Sequence, residues 1–198
     1  MEFRLTLVRH GESVANVNHM LSGWMDVSLT EHGRAELIRM RESLRYPESE
    51  AYFSSSLTRC VDTSHLLFPD KSPVISDDYK EINFRSLEGH VLANEDEMLD
   101  YFSSWVCDVP MRDEETLTPV MERARKAFLG TVRKCEEEGG SSATIVTHSG
   151  IMRALVISLF NLEKSSFLSM NVPNGLGYLI TFDGLEPLRC ERLDEILV

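Results

Sequence analysis

The chain has 198 residues, 42% hydrophobic and 26% charged, with 32 acidic against 20 basic side chains and a formal net charge of −12. That size and composition fit a single folded domain spanning residues 1–198 with a substantial core. The acidity argues against nucleic acid or an anionic membrane as the main partner, and no apolar run reaches membrane-spanning length.

The N-terminal stretch MEFRLTLVRHG reads as a strand over Phe3 to Val8, without the basic leader and long apolar core of a signal peptide, so a cytoplasmic protein is expected. Thr30 is placed to cap a helix running to about Leu44, with Leu37, Met40 and Leu44 on one face. A short strand at Ala51 to Ser54 precedes a helix from about Leu57, and Glu95 to Trp105 has helical spacing through Met98, Phe102 and Trp105. Thr118-Pro119 predicts the start of the next helix, a capping hydroxyl followed by proline at the first helical position. Its inward stripe is Met121, Ala124, Phe128, Thr131 and Cys135, and Gly139-Gly140 ends it. Ala143 to Thr147 reads as a buried strand, Ile151 to Phe160 as a helix, and Tyr178 to Phe182 with Leu188 to Arg192 as a hairpin near Asp183-Gly184. The alternation predicts an α/β fold with a largely parallel sheet.

Cys60, Cys107, Cys135 and Cys190 have no Cys-x-x-Cys spacing and read as free thiols in a reducing compartment. The six histidines form no metal-binding pattern, so no metal or cofactor is expected.

Three strand-to-helix junctions share one logic. LVRHGES ends a strand on Arg9-His10, ATIVTHSGIMRALV ends one on Thr147-His148-Ser149-Gly150, and AYFSSSLTRCVDT carries Arg59 just inside a helix. In open α/β sheets, ligands bind beyond the carboxyl ends of the strands, where helix N-termini favour anions. If the three strands are neighbours, Arg9, His10, Arg59 and His148 converge on a cationic pocket suited to phosphate.

At these residues the chain resembles the histidine phosphatase superfamily, whose fold is phosphoglycerate mutase-like. Arg9-His10-Gly11-Glu12 resembles its first motif. Asn16 and Ser22-Gly23 follow at the usual spacings, SSSLTRCVDT matches a Ser-Ser-x-Leu-x-Arg pattern, and THSGIMRAL is similar to its second-histidine segment. The resemblance implies a three-layer α/β/α fold with a mostly parallel central sheet and a short helical cap insertion at about 89–118. It also implies that His10 is the nucleophile, forming a phosphohistidine, with Arg9, Arg59 and His148 binding and stabilising the phosphoryl group. Asn16, Ser22, Gly23 and Ser149 would help bind substrate. Glu81, in EINFRSLEG, would be the general acid and later the general base, with Glu88 as the fallback.

Two positions depart from the family pattern: Arg85 stands where glycine is usual, and Asp62 replaces a common glutamine. Arg85 can shift the Glu81 loop, pair with Glu88 or touch substrate. The cap segment holds eight acids (Glu95, Asp96, Glu97, Asp100, Asp108, Asp113, Glu114, Glu115) and one arginine, Arg112. If the acids cover the pocket they repel a multiply charged substrate; otherwise they solvate an outer face. Trp24 and Trp105 can read the substrate's organic part or fill core, with core the better reading for Trp105. The expectation is a metal-independent phosphatase for a small phosphorylated metabolite. A 2,3-bisphosphoglycerate-dependent phosphoglycerate mutase and a non-catalytic binder of phosphorylated ligands are the alternatives. The partner is expected to be a small phosphorylated metabolite, and the sequence does not decide between a monomer and a homodimer.

Overall fold

The computed structural model describes residues 2–92 and 94–197. Six strands form one sheet: β1 (Glu2–Arg9), β2 (Ala51–Ser55), β3 (Val74–Ser76), β4 (Ser142–Thr147), β5 (Gly177–Asp183) and β6 (Glu186–Arg192), in the order β3-β2-β4-β1-β5-β6. The first four are mutually parallel, and β5 and β6 add antiparallel at one edge. β4 is buried along its whole length, as a central parallel strand covered on both faces must be.

Alternation along the strands sorts the core. Phe3, Leu5, Leu7 and Ile145 share a buried cluster with Phe128 and Val132 of α5 (Leu117–Glu137) and Ile151 and Leu155 of α6 (Ser149–Phe160). Val8 and Val146 point the other way, onto Leu37 of α2 (Glu31–Ser43), Cys60 and Leu67 of α3 (Thr58–Leu67), and Leu193 of the short C-terminal α8 (Leu193–Ile196). The result is the expected three-layer α/β/α arrangement. A third cluster joins α4 (Glu95–Trp105) and α7 (Ser166–Ser169) to the outer end of α6 through Tyr101, Trp105, Ile157 and Phe167, all buried. Among the described residues no helix is long and apolar enough to cross a membrane.

Most of the expected elements lie within two residues of where the sequence places them. Thr30 caps α2 by accepting from the Gly33 N–H, and Gly184 supplies the positive φ of the β5–β6 turn. The start of α5 differs. Its N-cap is Thr116, and Thr118 lies in the first turn, where its N–H and hydroxyl both donate to Asp108. Pro119 is tolerated there because first-turn N–H groups have no intrahelical partner. The four-residue α1 (Val14–Val17), capped by Ser13 and Asn16, and the three-residue edge strand β3 are too short to leave a periodic signal.

Candidate active site

β2, β4 and β1 are adjacent, so their carboxyl ends bring the three junctions together. A cavity of about 180 Å³ opens there, lined among others by Arg9, His10, Asn16, Ser22, Gly23, Arg59, Glu81, Ser149 and Arg153. Larger clefts of about 450 Å³ and 440 Å³ lie beside Tyr46 and Lys126, away from all three junctions.

His10 is fixed from both sides. Its backbone N–H donates to the Thr147 carbonyl, its carbonyl accepts from Asn174 Nδ2, and Gly11 N–H donates to Thr63 Oγ1. The ring Nδ1 lies 2.7 Å from the Gly11 carbonyl, which can only accept, so Nδ1 carries the hydrogen and Nε2 keeps its lone pair. Burial, then the charges of Arg59 and Arg9, hold the His10 pKa well below its ordinary value. The ring is a neutral imidazole with an unprotonated nitrogen.

The cations around it are unevenly committed. Arg59, fully buried, donates from Nε to His148 Nδ1 (3.2 Å), from Nη1 to the Met25 carbonyl, and from Nη2 to the Ser22 and Gly23 carbonyls. Arg9 donates from Nη1 to the Val172 carbonyl, whereas its buried Nε has no partner. Burial, opposed by Glu81 and reinforced by Arg153 and Arg59, brings the Arg9 pKa down to about 10, so it stays charged near neutrality. Arg153, which the sequence reading did not single out, stacks over the Phe167 ring at 4.0 Å and donates to the Ser149 and Phe167 carbonyls. Its signal was present: Arg153 lies one helical turn beyond Ser149. Among the described residues none of these three arginines forms a salt bridge with a carboxylate, and Glu81 is the single acid that faces the three of them in the cavity wall.

His148 lies behind this wall. Its Nδ1 accepts from Arg59 and its Nε2 sits 2.9 Å from Ser55 Oγ, while its ring meets His10 edge-on at 5.2 Å. Burial and Arg59 lower its pKa far below normal, so it too is neutral. Both ring nitrogens are engaged within the protein, and the expected direct approach of His148 to a bound phosphate is not offered by this geometry.

Glu81 lines the cavity with its carboxylate set into the start of α6. Oε1 accepts from the Ile82 and Ile151 N–H groups (3.0 and 2.8 Å) and Oε2 from Gly150 N–H (2.9 Å). Close approach depends on two glycines. A Cβ at Gly150 would fall 2.5 Å from Glu81 Oε1, and one at Gly23 would fall 1.7 Å from the Ile82 carbonyl oxygen. Glu88 is placed differently from the sequence expectation. It does not line the cavity, and its oxygens accept from the Trp24, Met25 and Phe84 N–H groups, tying the 22–25 loop to the 81–88 loop. Asn16 lines the cavity, but its Oδ1 is taken by Ser13 and Asn174, leaving Nδ2 for a ligand.

Arg85 is exposed with φ +47°, a left-handed conformation that explains why glycine is usual there; it makes no ion pair with Glu88. Asp62 pairs with Arg34. Trp105 is core, and Trp24 is half-exposed with Nε1 donating to the Glu81 carbonyl. Among the described side chains, no acid of the 89–118 segment lines the cavity. Asp108, Asp113, Glu114 and Glu115 instead bind Thr118, Ser86, the 111–112 N–H groups and Arg123, while Phe102 faces the pocket. The Glu95 side chain lies outside the described atoms.

A neutral histidine ringed by three arginines that form no salt bridge with a carboxylate among the described residues is an arrangement suited to an anion, here on an α/β/α fold. Residues 5–193 match the profile of the histidine phosphatase superfamily, branch 1, and the chain belongs to that superfamily. It is 26% identical over 230 residues to the 2,3-bisphosphoglycerate-dependent phosphoglycerate mutase of Bifidobacterium longum, covering 98% of this chain and 93% of that one. In fold it is similar to the mycobacterial glucosyl-3-phosphoglycerate phosphatase (TM-score 0.79, 22% identity, 97% of each chain). It is likewise similar to the Entamoeba histolytica phosphoserine phosphatase crystallised with 3-phosphoglyceric acid (TM-score 0.73, 19% identity, 94% of each chain). Phosphatases and mutases thus share this framework.

Proposed function

We propose that this protein is a phosphomonoesterase that hydrolyses a small phosphorylated metabolite through a phosphohistidine on His10, without a metal ion. The observation that carries the reading is the His10 tautomer: Nδ1–H is spent on the Gly11 carbonyl, so the lone pair of Nε2 is available beside the arginines. In the first step the Nε2–P bond forms as the P–O bond to the leaving group breaks. Glu81, as the general acid of this reading, supplies the proton taken up by the departing alkoxide. In the second, Glu81 takes a proton from water, the water oxygen bonds to phosphorus, and the Nε2–P bond breaks. Arg9, through its unpartnered Nε, and Arg59, through the one Nη1 hydrogen not donated to Met25, hold the phosphoryl oxygens, helped by Asn16 Nδ2 and the Ser22-Gly23 and Ser149 walls. His148 supports the reaction by holding Arg59 Nε and packing on His10. The cavity's volume and the apolar wall of Met20, Leu21, Ile82, Phe84 and Phe102 favour a small monoester with limited polarity.

The test compares wild type, His10→Ala and Glu81→Gln on an aryl phosphate and on alkyl monoesters, with no added metal. Aryl leaving groups need little acid help and alkoxides need much. The reading expects wild type to cleave both, His10→Ala neither, and Glu81→Gln to lose chiefly the alkyl esters. The mutase reading is kept alive by the Bifidobacterium relative and by the described cap acids, none of which stands in the cavity wall against a phosphoglycerate. It expects interconversion of phosphoglycerates with a bisphosphoglycerate primer. Phosphate binding without turnover of any of these would leave the binding role.

A further inference from the structure

Glu81 is held from its carboxylate side by α6, and its carbonyl accepts from Trp24 Nε1 and from one arginine that does not line the His10 cavity. Arg123, on α5, donates from Nη1 to the Lys80 carbonyl (3.0 Å) and from Nη2 to the Glu81 carbonyl (3.0 Å). The same guanidinium grips Glu115 with Nε (2.9 Å) and Nη2 (2.8 Å). Glu115 continues the line, since its carboxylate accepts from Asn83 N–H (3.0 Å) and its own N–H donates to the Asn83 carbonyl (2.9 Å). Its carbonyl accepts from Trp105 Nε1 (2.8 Å) at the end of α4. The backbone from residue 80 to residue 83 is thereby fastened to an ion pair whose side chains are only 25% and 14% exposed. A planar guanidinium can bind two carbonyls and a carboxylate at once; an ammonium cannot reproduce that fork.

We infer that the Arg123–Glu115 pair is a positioning element for Glu81, acting beside the α6 N–H groups and Trp24 and tying the 89–118 segment to the placement of the acid/base. This rests on the reading of Glu81 given above. Loss of Arg123 leaves two carbonyls and Glu115 without their shared partner, and a carboxylate displaced by about 1 Å transfers protons on the order of 10²-fold more slowly. Arg123 does not line the cavity, so its loss is expected to change phosphate binding and attack by His10 far less than proton transfer by Glu81.

The experiment measures kcat and KM for aryl and alkyl esters in wild type, Arg123→Met, Arg123→Lys, Glu115→Gln, Glu81→Gln and Arg123→Met/Glu81→Gln, after circular dichroism has shown which variants fold. The inference expects Arg123→Met to lower alkyl kcat by at least roughly 10-fold, with aryl kcat and both KM values within about twofold of wild type. Arg123→Lys should recover little, and Glu115→Gln should reproduce the same selectivity should Arg123→Met not fold. In the Glu81→Gln background Arg123→Met should have no further effect on alkyl kcat. Equal losses on aryl and alkyl esters, or a further loss in the Glu81→Gln background, would overturn the inference while leaving the role of Glu81 intact. Full alkyl activity in Glu81→Gln would overturn the reading of Glu81 and this inference with it.

Discussion

Gly150→Ala tests the placement of Glu81 with a single methyl group. An added Cβ would stand 2.5 Å from Glu81 Oε1 and 2.6 Å from Ile82 Cδ1, whereas ordinary contact begins near 3.4 Å. Oε1 must therefore retreat by about 0.9 Å, and its bonds from the Ile151 and Ile82 N–H groups, now 2.8 and 3.0 Å, cannot both survive such a shift. The Glu81 carbonyl is pinned by Arg123 and Trp24, so the side chain has to turn away. For folding, alanine in a helix gains up to about 1 kcal/mol over glycine, while forcing a methyl into occupied space costs about 1–3 kcal/mol. The net loss of about 1 kcal/mol lowers Tm by roughly 2–4 °C. For catalysis, a misplacement of this size costs about 10²-fold in kcat, or ~2.7 kcal/mol of barrier, on alkyl esters that depend on the acid. Aryl esters should be spared. Steady-state kinetics on paired alkyl and aryl phosphates read the effect. Wild-type alkyl kcat in Gly150→Ala would refute the claim that the clasped carboxylate is the acid.

Arg153→Met should weaken binding of inorganic phosphate by about 10-fold or more, the worth of a charge-assisted contact, as titration calorimetry would show. Glu88→Gln should cost roughly 1–3 kcal/mol of stability in denaturant titrations, because it loosens a carboxylate that holds three N–H groups. Its alkyl-to-aryl rate ratio should match wild type, unlike that of Glu81→Gln. Arg85→Gly should be at least as stable as wild type, whereas Arg85→Val, β-branched at positive φ, should lose about 1 kcal/mol, a Tm shift of about 3 °C. His10 and His148 are neutral in the folded chain below the pH at which they take up protons when unfolded. Their contribution to stability is whole above about pH 6.5 and is lost as pH falls below it, each by up to about 1.4 kcal/mol per pH unit. Denaturant midpoints should therefore fall steeply from pH 6.5 to pH 5, with less of the slope in a His10→Asn variant.

The apolar runs of β1, β2 and β4 and the helical stripes were legible because each is a local pattern, and the three junctions were legible because charged residues follow buried strands. That β2, β4 and β1 are neighbours is decided by long-range pairing, which one sequence does not display. The seat of Glu81 on Gly150 and Ile151 joins positions some 70 apart in the chain, and Arg123 reaches its carbonyl across 42. Neither has a local signature. The acids of the 89–118 segment illustrate a different limit. Their number invited a reading in terms of repulsion, yet Asp108 and Glu114 serve as turn clips whose meaning depends on which N–H groups lie opposite. Arg85 is the converse case, where a departure from glycine marked a left-handed backbone that the structure retains.

The central claim is that phosphate passes through His10. Rapid quenching of the enzyme with a labelled monoester, followed by peptide mapping under alkaline conditions that preserve phosphohistidine, tests it most directly. Passage through His10 predicts an acid-labile, alkali-stable label on the peptide containing that residue, formed no more slowly than turnover and absent from His10→Ala. A label on another residue, or undiminished turnover in His10→Ala, would contradict it.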